Sequence, residues 1–143
     1  MRFWWAILFF LLACHRQADL SRPPDIRYGE DVCSRCHMII NEERYAAARV
    51  FSDGQTFLFD DIGELLAFRD VPNSPQQVWF HDYETAQWVT AESAYFVKSP
   101  DLKTPMGNRI VAVASSTAAN ALAQRVNGKV FRFAELNQGD QKP

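Results

Sequence analysis

One order of signals occurs twice along this chain and restricts its fold more than any other feature. Between Tyr45 and Phe51, Ala46, Ala48 and Val50 alternate with Tyr45, Arg49 and Phe51, and Ser52-Asp53-Gly54 supplies a turn before Thr56-Phe57-Leu58-Phe59. That pattern is the signature of a β-hairpin. Asp60 or Asp61 then caps a helix that carries Ile62, Leu65 and Leu66 at helical spacing as far as about Arg69. Pro72 and Pro75 close the helix, and Val78-Trp79-Phe80 reads as the next strand.

The second half follows the same sequence of events. Residues 87–89 and 95–97 are short strand candidates, and 110–114 is an apolar run. Ser115 or Ser116 caps a helix with Ala118, Ala121, Leu122 and Val126 on one face, Asn127-Gly128 ends it, and 130–133 forms a last strand. The halves share pattern and little identity. They predict an α+β fold of two consecutive ββαβ-like units, residues 28–85 and 86–136, followed by a mobile polar tail over 137–143.

At 143 residues with 48% hydrophobic and 22% charged side chains, the chain has the composition of one or two small globular units. A net charge of −2 with no block of Lys or Arg excludes an electrostatic footprint for nucleic acid. The N-terminus differs in kind. Met1-Arg2 precedes an apolar run from Phe3 to Leu12, too short to span a bilayer, so residues 1–13 read as a secretory signal. Its end, Leu11-Leu12-Ala13-Cys14, resembles a bacterial lipobox, which implies cleavage before Cys14 and a lipid on that cysteine. Residues 14–27, polar and carrying Pro23-Pro24, suit an extended tether. The expected location is the periplasmic side of a membrane, with His15 rather than Asp after the anchor favouring the outer membrane.

With Cys14 assigned to the anchor, an exported chain retains Cys33 and Cys36 in the string Cys33-Ser34-Arg35-Cys36-His37-Met38. An oxidising compartment converts such a pair to a disulfide or loads it with a metal or cofactor. A c-type haem would use the C-x-x-C-H string, with Met106 as a distant second axial ligand. The abundance of short strands argues against that, because small cytochromes wrap their haem mainly in helices. Thiol redox chemistry wants a C-x-x-C pair at the start of a helix, and neither cap nor helical periodicity follows Cys33. A structural disulfide across the pair is the plainest alternative. Structural zinc wants two pairs of ligands, whereas His15 and His81 lie in the tether and beside a turn.

Cu(I) fits the donor set best. It is soft, accepts two or three ligands, and prefers the thiolate and thioether sulfurs that Cys36, Met38 and Met106 offer. Met106 sits in a Pro-Met-Gly turn with little chance to bury itself in a helix or strand; filling a gap under the loop is its alternative role. In an extended segment His37 points away from Cys36 and Met38, which ranks it below the sulfurs. Asp60-Asp61 reads as a helix cap before it reads as an acid–base pair. Without a Ser-His-Asp set or a Gly-rich phosphate loop, the chain offers no catalytic constellation, and a non-enzyme is expected.

With these residues in view, the chain resembles the NosL family of copper-binding accessory lipoproteins of nitrous oxide reductase. The matching strings are the lipobox ending at Cys14, Cys36-His37-Met38, Asp53-Gly54, Phe59-Asp60-Asp61-Ile62-Gly63, Trp88-Val89, Ala94-Tyr95-Phe96-Val97, Pro105-Met106-Gly107 and Gly128-Lys129-Val130. Their order and spacing carry the likeness from about Tyr28 to Leu136. The resemblance implies two ββαβ units related to a domain of organomercury lyase, and a periplasm-facing protein that binds Cu(I) through Cys36, Met38 and Met106. It implies delivery of that copper to maturing nitrous oxide reductase, with a membrane ABC-type maturation complex as a further partner. Family members commonly show one Cys before Gly-Met or His-Met, which leaves Cys33 either a further ligand or a disulfide partner that would switch Cys36 off.

Overall fold

The computed structural model describes residues 18–139, so the signal over 1–13, Cys14, His15 and the last residues of the expected tail lie outside the described residues. The first unit contains β1 (Ala47–Phe51), β2 (Thr56–Phe59), α1 (Ile62–Ala67) and β3 (Gln76–His81), followed by β4 (Trp88–Thr90). The second contains β5 (Tyr95–Lys98), β6 (Ile110–Val113), α2 (Ser116–Arg125), β7 (Lys129–Phe131) and α3 (Phe133–Gly139). One antiparallel sheet has the order β2-β1-β3-β4 and the other β6-β5-β7. Both place the first strand of the unit between the second and third. The class is α+β, and the duplicated pattern seen in the sequence is a duplicated topology.

The sheets join where β3 ends. Asp82 bridges Ala112 in parallel, Tyr83 N–H donates to Ala112 O at 2.8 Å, and Ala114 N–H donates to Asp82 Oδ1 at 2.8 Å. Phe59, Ile62, Leu65, Phe80, Phe96, Ile110 and Ala112 form one core across both units. Val97, Val111 and Val113 project from the opposite face of the second sheet onto Ala119, Leu122 and Ala123 of α2. That double coverage is why β6 is buried at every position and reads as a continuous apolar run. Each fully buried large apolar side chain contributes about 1.5–3 kcal/mol.

Local expectations shift where a neighbour decides. The strand expected over 87–89 pairs with β3, Phe80 opposite Val89, and so completes the first sheet instead of opening the second. Helix α1 stops at Ala67, short of Arg69, because Phe68 turns to extended backbone and stacks on Phe57 and Phe59 at 4.9 and 5.3 Å between ring centroids. The last strand ends at Phe131, and α3 takes in residues 137–139 of the expected tail, held by Phe133 against Phe80 and Phe96. The expected tether is bound from Ala18 onward. Its N–H donates to Ser52 O at 3.1 Å, Ala18 and Leu20 cover Ala48, Val50 and Trp79 on the outer face of the first sheet, and Ile26 enters the core.

His81, at the end of β3, is buried against the Trp88 ring with 3.7 Å between centroids. Its Nδ1 lies 2.7 Å from Ala86 O, which only accepts, so Nδ1 carries the proton and Nε2 accepts from the Tyr28 hydroxyl at 2.8 Å. Burial holds the His81 pKa below 6.5, against the opposing pull of the Ala86 carbonyl and Glu43. As pH falls below the ordinary histidine value near 6.5, the unfolded chain takes up this proton and the folded chain does so only lower down. Stability is therefore full above about pH 6.5 and declines below it, levelling once the folded imidazole also protonates. Thermal melts between about pH 5 and 7.5 should show that decline, and His81→Phe should remove most of the slope; an equal slope in the variant would place the acid sensitivity elsewhere.

Candidate metal centre

Residues 31–40 form a tight knuckle. Ile40 N–H donates to Asp31 O at 2.9 Å, Val32 bridges Ile39, Cys33 N–H donates to Met38 O at 2.8 Å, and His37 N–H donates to Cys33 O at 3.0 Å. His37 closes the turn with φ +61, so the alternation of an extended segment does not apply, and its side chain is exposed. Ser34 fastens the knuckle to the free edge of β2: its N–H donates to Leu58 O at 2.7 Å and its Oγ accepts from Leu58 N–H at 3.0 Å.

This turn gives the two cysteines different surroundings. Cys33 is fully enclosed in the core, whereas Cys36 is partly open, and both are free thiols. Both sulfurs and the Glu64 carboxylate lie within 4.8 Å of one another, and Glu64 also pairs with Arg35 at 2.7 Å. The Cys36 thiol points at Asp60, 3.6 and 3.7 Å from its two oxygens. Burial, aided by the Cys33 thiol and the Asp60 charge and opposed by the Met38 N–H, pushes the Cys36 thiol up to about 12. It remains a thiol at neutral pH unless a cation replaces its proton.

Beside Asp60 opens a pocket of about 250 Å³ lined by Met38, Ile39, Asn41, Glu42, Asp60, Pro105 and Met106. Met38 and Met106, from opposite halves of the chain, thus meet in one pocket whose shared wall, Asp60, contacts Cys36. Both methionines are exposed, Met38 at 57% and Met106 at 40%, so neither fills a gap in the core. The gap-filling alternative for Met106 is set aside by that exposure.

The Met106 loop is held from α1. Asp61 caps the helix by accepting from Gly63 N–H at 2.9 Å through Oδ1, while Oδ2 accepts from the Thr104 hydroxyl at 2.6 Å and Met106 N–H at 3.1 Å. Gly63 leaves room for the same loop, since a Cβ there would lie 2.1 Å from Asn108 Cγ. The two aspartates of the doublet therefore divide the work: Asp61 is the cap and Asp60 faces the thiol. Sequence pattern missed Asp60 as a site residue, and Glu64 with it. The only signal was the doublet itself, in which two neighbouring carboxylates do not both serve one helix end.

This geometry weighs against two alternatives. A haem joined to both cysteines needs both sulfurs open to one crevice, and Cys33 is closed off. No helix begins at the Cys33–Cys36 turn, which removes the N-terminal field that activates C-x-x-C redox thiols.

Comparisons with known proteins point the same way. Residues 27–140 match the family described as NosL. The chain is 26% identical over 145 residues to the copper-binding lipoprotein NosL of Stutzerimonas stutzeri, spanning 92% of this chain and 76% of that protein. Its fold is similar to the crystal structure of the copper chaperone NosL from Shewanella denitrificans, with a TM-score of 0.65, 22% identity, and coverage of 82% of this chain and all of that one.

Asp61→Asn puts an amide N–H₂ against at least one buried donor, so it should lower unfolding free energy by about 1–3 kcal/mol in chemical denaturation. A change below about 0.5 kcal/mol would show that the carboxylate does not hold the loop.

Proposed function

We propose, on the premise that this chain belongs to the NosL family, that it is a Cu(I) carrier. The observation that carries this reading is the convergence of two solvent-exposed thioethers, Met38 and Met106, on a pocket walled by Asp60, whose carboxylate touches the Cys36 thiol. Exposed thioethers and one thiol are a soft donor set suited to Cu(I). The copper-binding name of the Stutzerimonas stutzeri relative supports the choice of metal.

Binding replaces the Cys36 S–H bond with an S–Cu bond, and Asp60, already the acceptor of that S–H, is placed to take the proton. No electron moves. Met38 and Met106 complete the coordination from two loops. Release begins at the thioethers, because a recipient's sulfur or imidazole displaces a neutral, exposed ligand more readily than the thiolate. Cys33, enclosed in the core, is the reserve ligand or disulfide partner and not the entry point.

The proposed recipient is maturing nitrous oxide reductase, with a membrane ABC-type maturation complex as a further partner, both resting on the family resemblance. A lipid on Cys14 holds the carrier at the periplasmic face of a membrane, the outer one by the residue that follows the anchor. The lipoprotein name of the same relative supports anchoring. The role is that of a carrier and not an enzyme.

The test is an anaerobic Cu(I) titration of the mature chain against a competing chelator, with native mass spectrometry giving the stoichiometry. One copper per chain is expected. Cys36→Ser should weaken binding at least about a hundredfold and Met106→Leu about tenfold, losses on the order of 2.7 and 1.4 kcal/mol. Cys33→Ser should leave affinity within about threefold, a difference under 1 kcal/mol. Equal loss in both cysteine variants would make Cys33 a co-ligand, and an unchanged Met106→Leu protein would remove Met106 from the site.

A further inference from the structure

Among the described residues, the large apolar side chains left exposed are Val32 (51%), Met38 (57%), Ile39 (49%), Met106 (40%) and Val71 (40%). Three of these five, Met38, Ile39 and Met106, line the pocket, and Val32 adjoins them as the bridge partner of Ile39. Val32 and Ile39 are antiparallel bridge partners, so their side chains emerge together on one face of the knuckle. Ile39 continues into the pocket wall with Met38 and Met106. The fifth, Val71, lies in the loop before β3, at the Phe51 end of the first sheet, whereas Asp60 follows the Phe59–Ala47 end.

The edge of this shelf is acidic on one side. Glu42 lines the pocket, and the exposed Glu43 follows it as the start of a 3₁₀ turn, Glu43–Tyr45. A small domain gains nothing in stability by leaving four large apolar side chains in water, and such patches mark contact surfaces. Two of the four are proposed copper ligands, so whatever covers the shelf also covers the metal. From this we infer that the Val32–Met38–Ile39–Met106 shelf, with Glu42 and Glu43 at its edge, is the docking face for a copper-accepting protein. The accepting face would carry an apolar surface around its own soft ligand and basic side chains opposite the two glutamates. The inference rests on the carrier reading above and deepens it: the apolar contact excludes water while copper changes ligands, and the acidic edge sets orientation and speeds encounter.

The experiment compares copper binding with copper delivery in the full lipid-anchored chain. The variants are Val32→Glu and Glu43→Lys, both outside the pocket lining, and Val71→Glu as the control. None replaces a proposed ligand. Cu(I) affinity is read by chelator competition, and delivery by the copper content of nitrous oxide reductase matured in cells that supply the protein and its maturation complex. Affinity within about threefold of the unaltered chain, with copper delivery reduced at least about tenfold by Val32→Glu and by Glu43→Lys and unaffected by Val71→Glu, is the expected result. Delivery within twofold of normal in both Val32→Glu and Glu43→Lys overturns the docking face, as does a loss of affinity that matches the loss of delivery. Sedimentation supplies a further arm: a dimer that Val32→Glu dissolves, with delivery unchanged, assigns the shelf to a second copy and also overturns the proposal. If the unaltered chain neither binds Cu(I) nor supports delivery, the carrier reading itself fails, an outcome distinct from these.

Discussion

The Asp61 carboxylate holds the two units of this fold together around the pocket. It is fully buried, and its two oxygens take a helix N–H from the first unit and a hydroxyl and an N–H from the loop of the second, 43 and 45 residues away in sequence. A buried carboxylate is costly unless such donors surround it, and hydrogen bonds to a charged group contribute about 1.5–3 kcal/mol each. The same donors that make burial tolerable fix where Met106 emerges. Gly63 adds a steric condition, because only its bare Cα lets Asn108 sit against the first turn of α1.

Around that clamp the molecule separates rigid support from exposed thioethers. The knuckle is tied to the edge of β2 by Ser34 and closes on itself through Cys33 and Met38, so Cys36 has a defined position beside Asp60. The methionines extend past this support into solvent. Enclosure of Cys33 separates the two thiols chemically even though their sulfurs are close, since reagents in solution meet Cys36 first.

Much of this was legible in the sequence where the signal is local. The Ser52-Asp53-Gly54 turn and the caps at Asp61 and Ser115 report on neighbours a few residues away and hold, whereas the strand expected from Tyr45 begins at Ala47, after a 3₁₀ turn, and is buried on both faces. Three-residue β4 carries no information on which sheet it joins, because that depends on the exposed edge of β3. Leu20 and Ile26 lie within the expected tether, and their partners, the outer face of the first sheet and the core, are set by tertiary packing. At the site, Cys36, Met38 and Met106 stood out by residue type, whereas Asp60 was hidden beside a second aspartate with an obvious task. What separates the two is the path of the chain leaving Phe59, a tertiary fact.

The pocket is assembled from segments that are strangers in sequence, and this shapes the order of events during folding. An emerging chain presents Cys33, Cys36 and Met38 early, but Met106 reaches them only after the second unit has formed and Asp61 has captured its loop. Closing so long a loop is slow compared with forming the knuckle. The sulfurs of Cys36, Met38 and Met106 thus come together only once both units have packed, and a metal ion that needs all of them settles only on molecules in which they have.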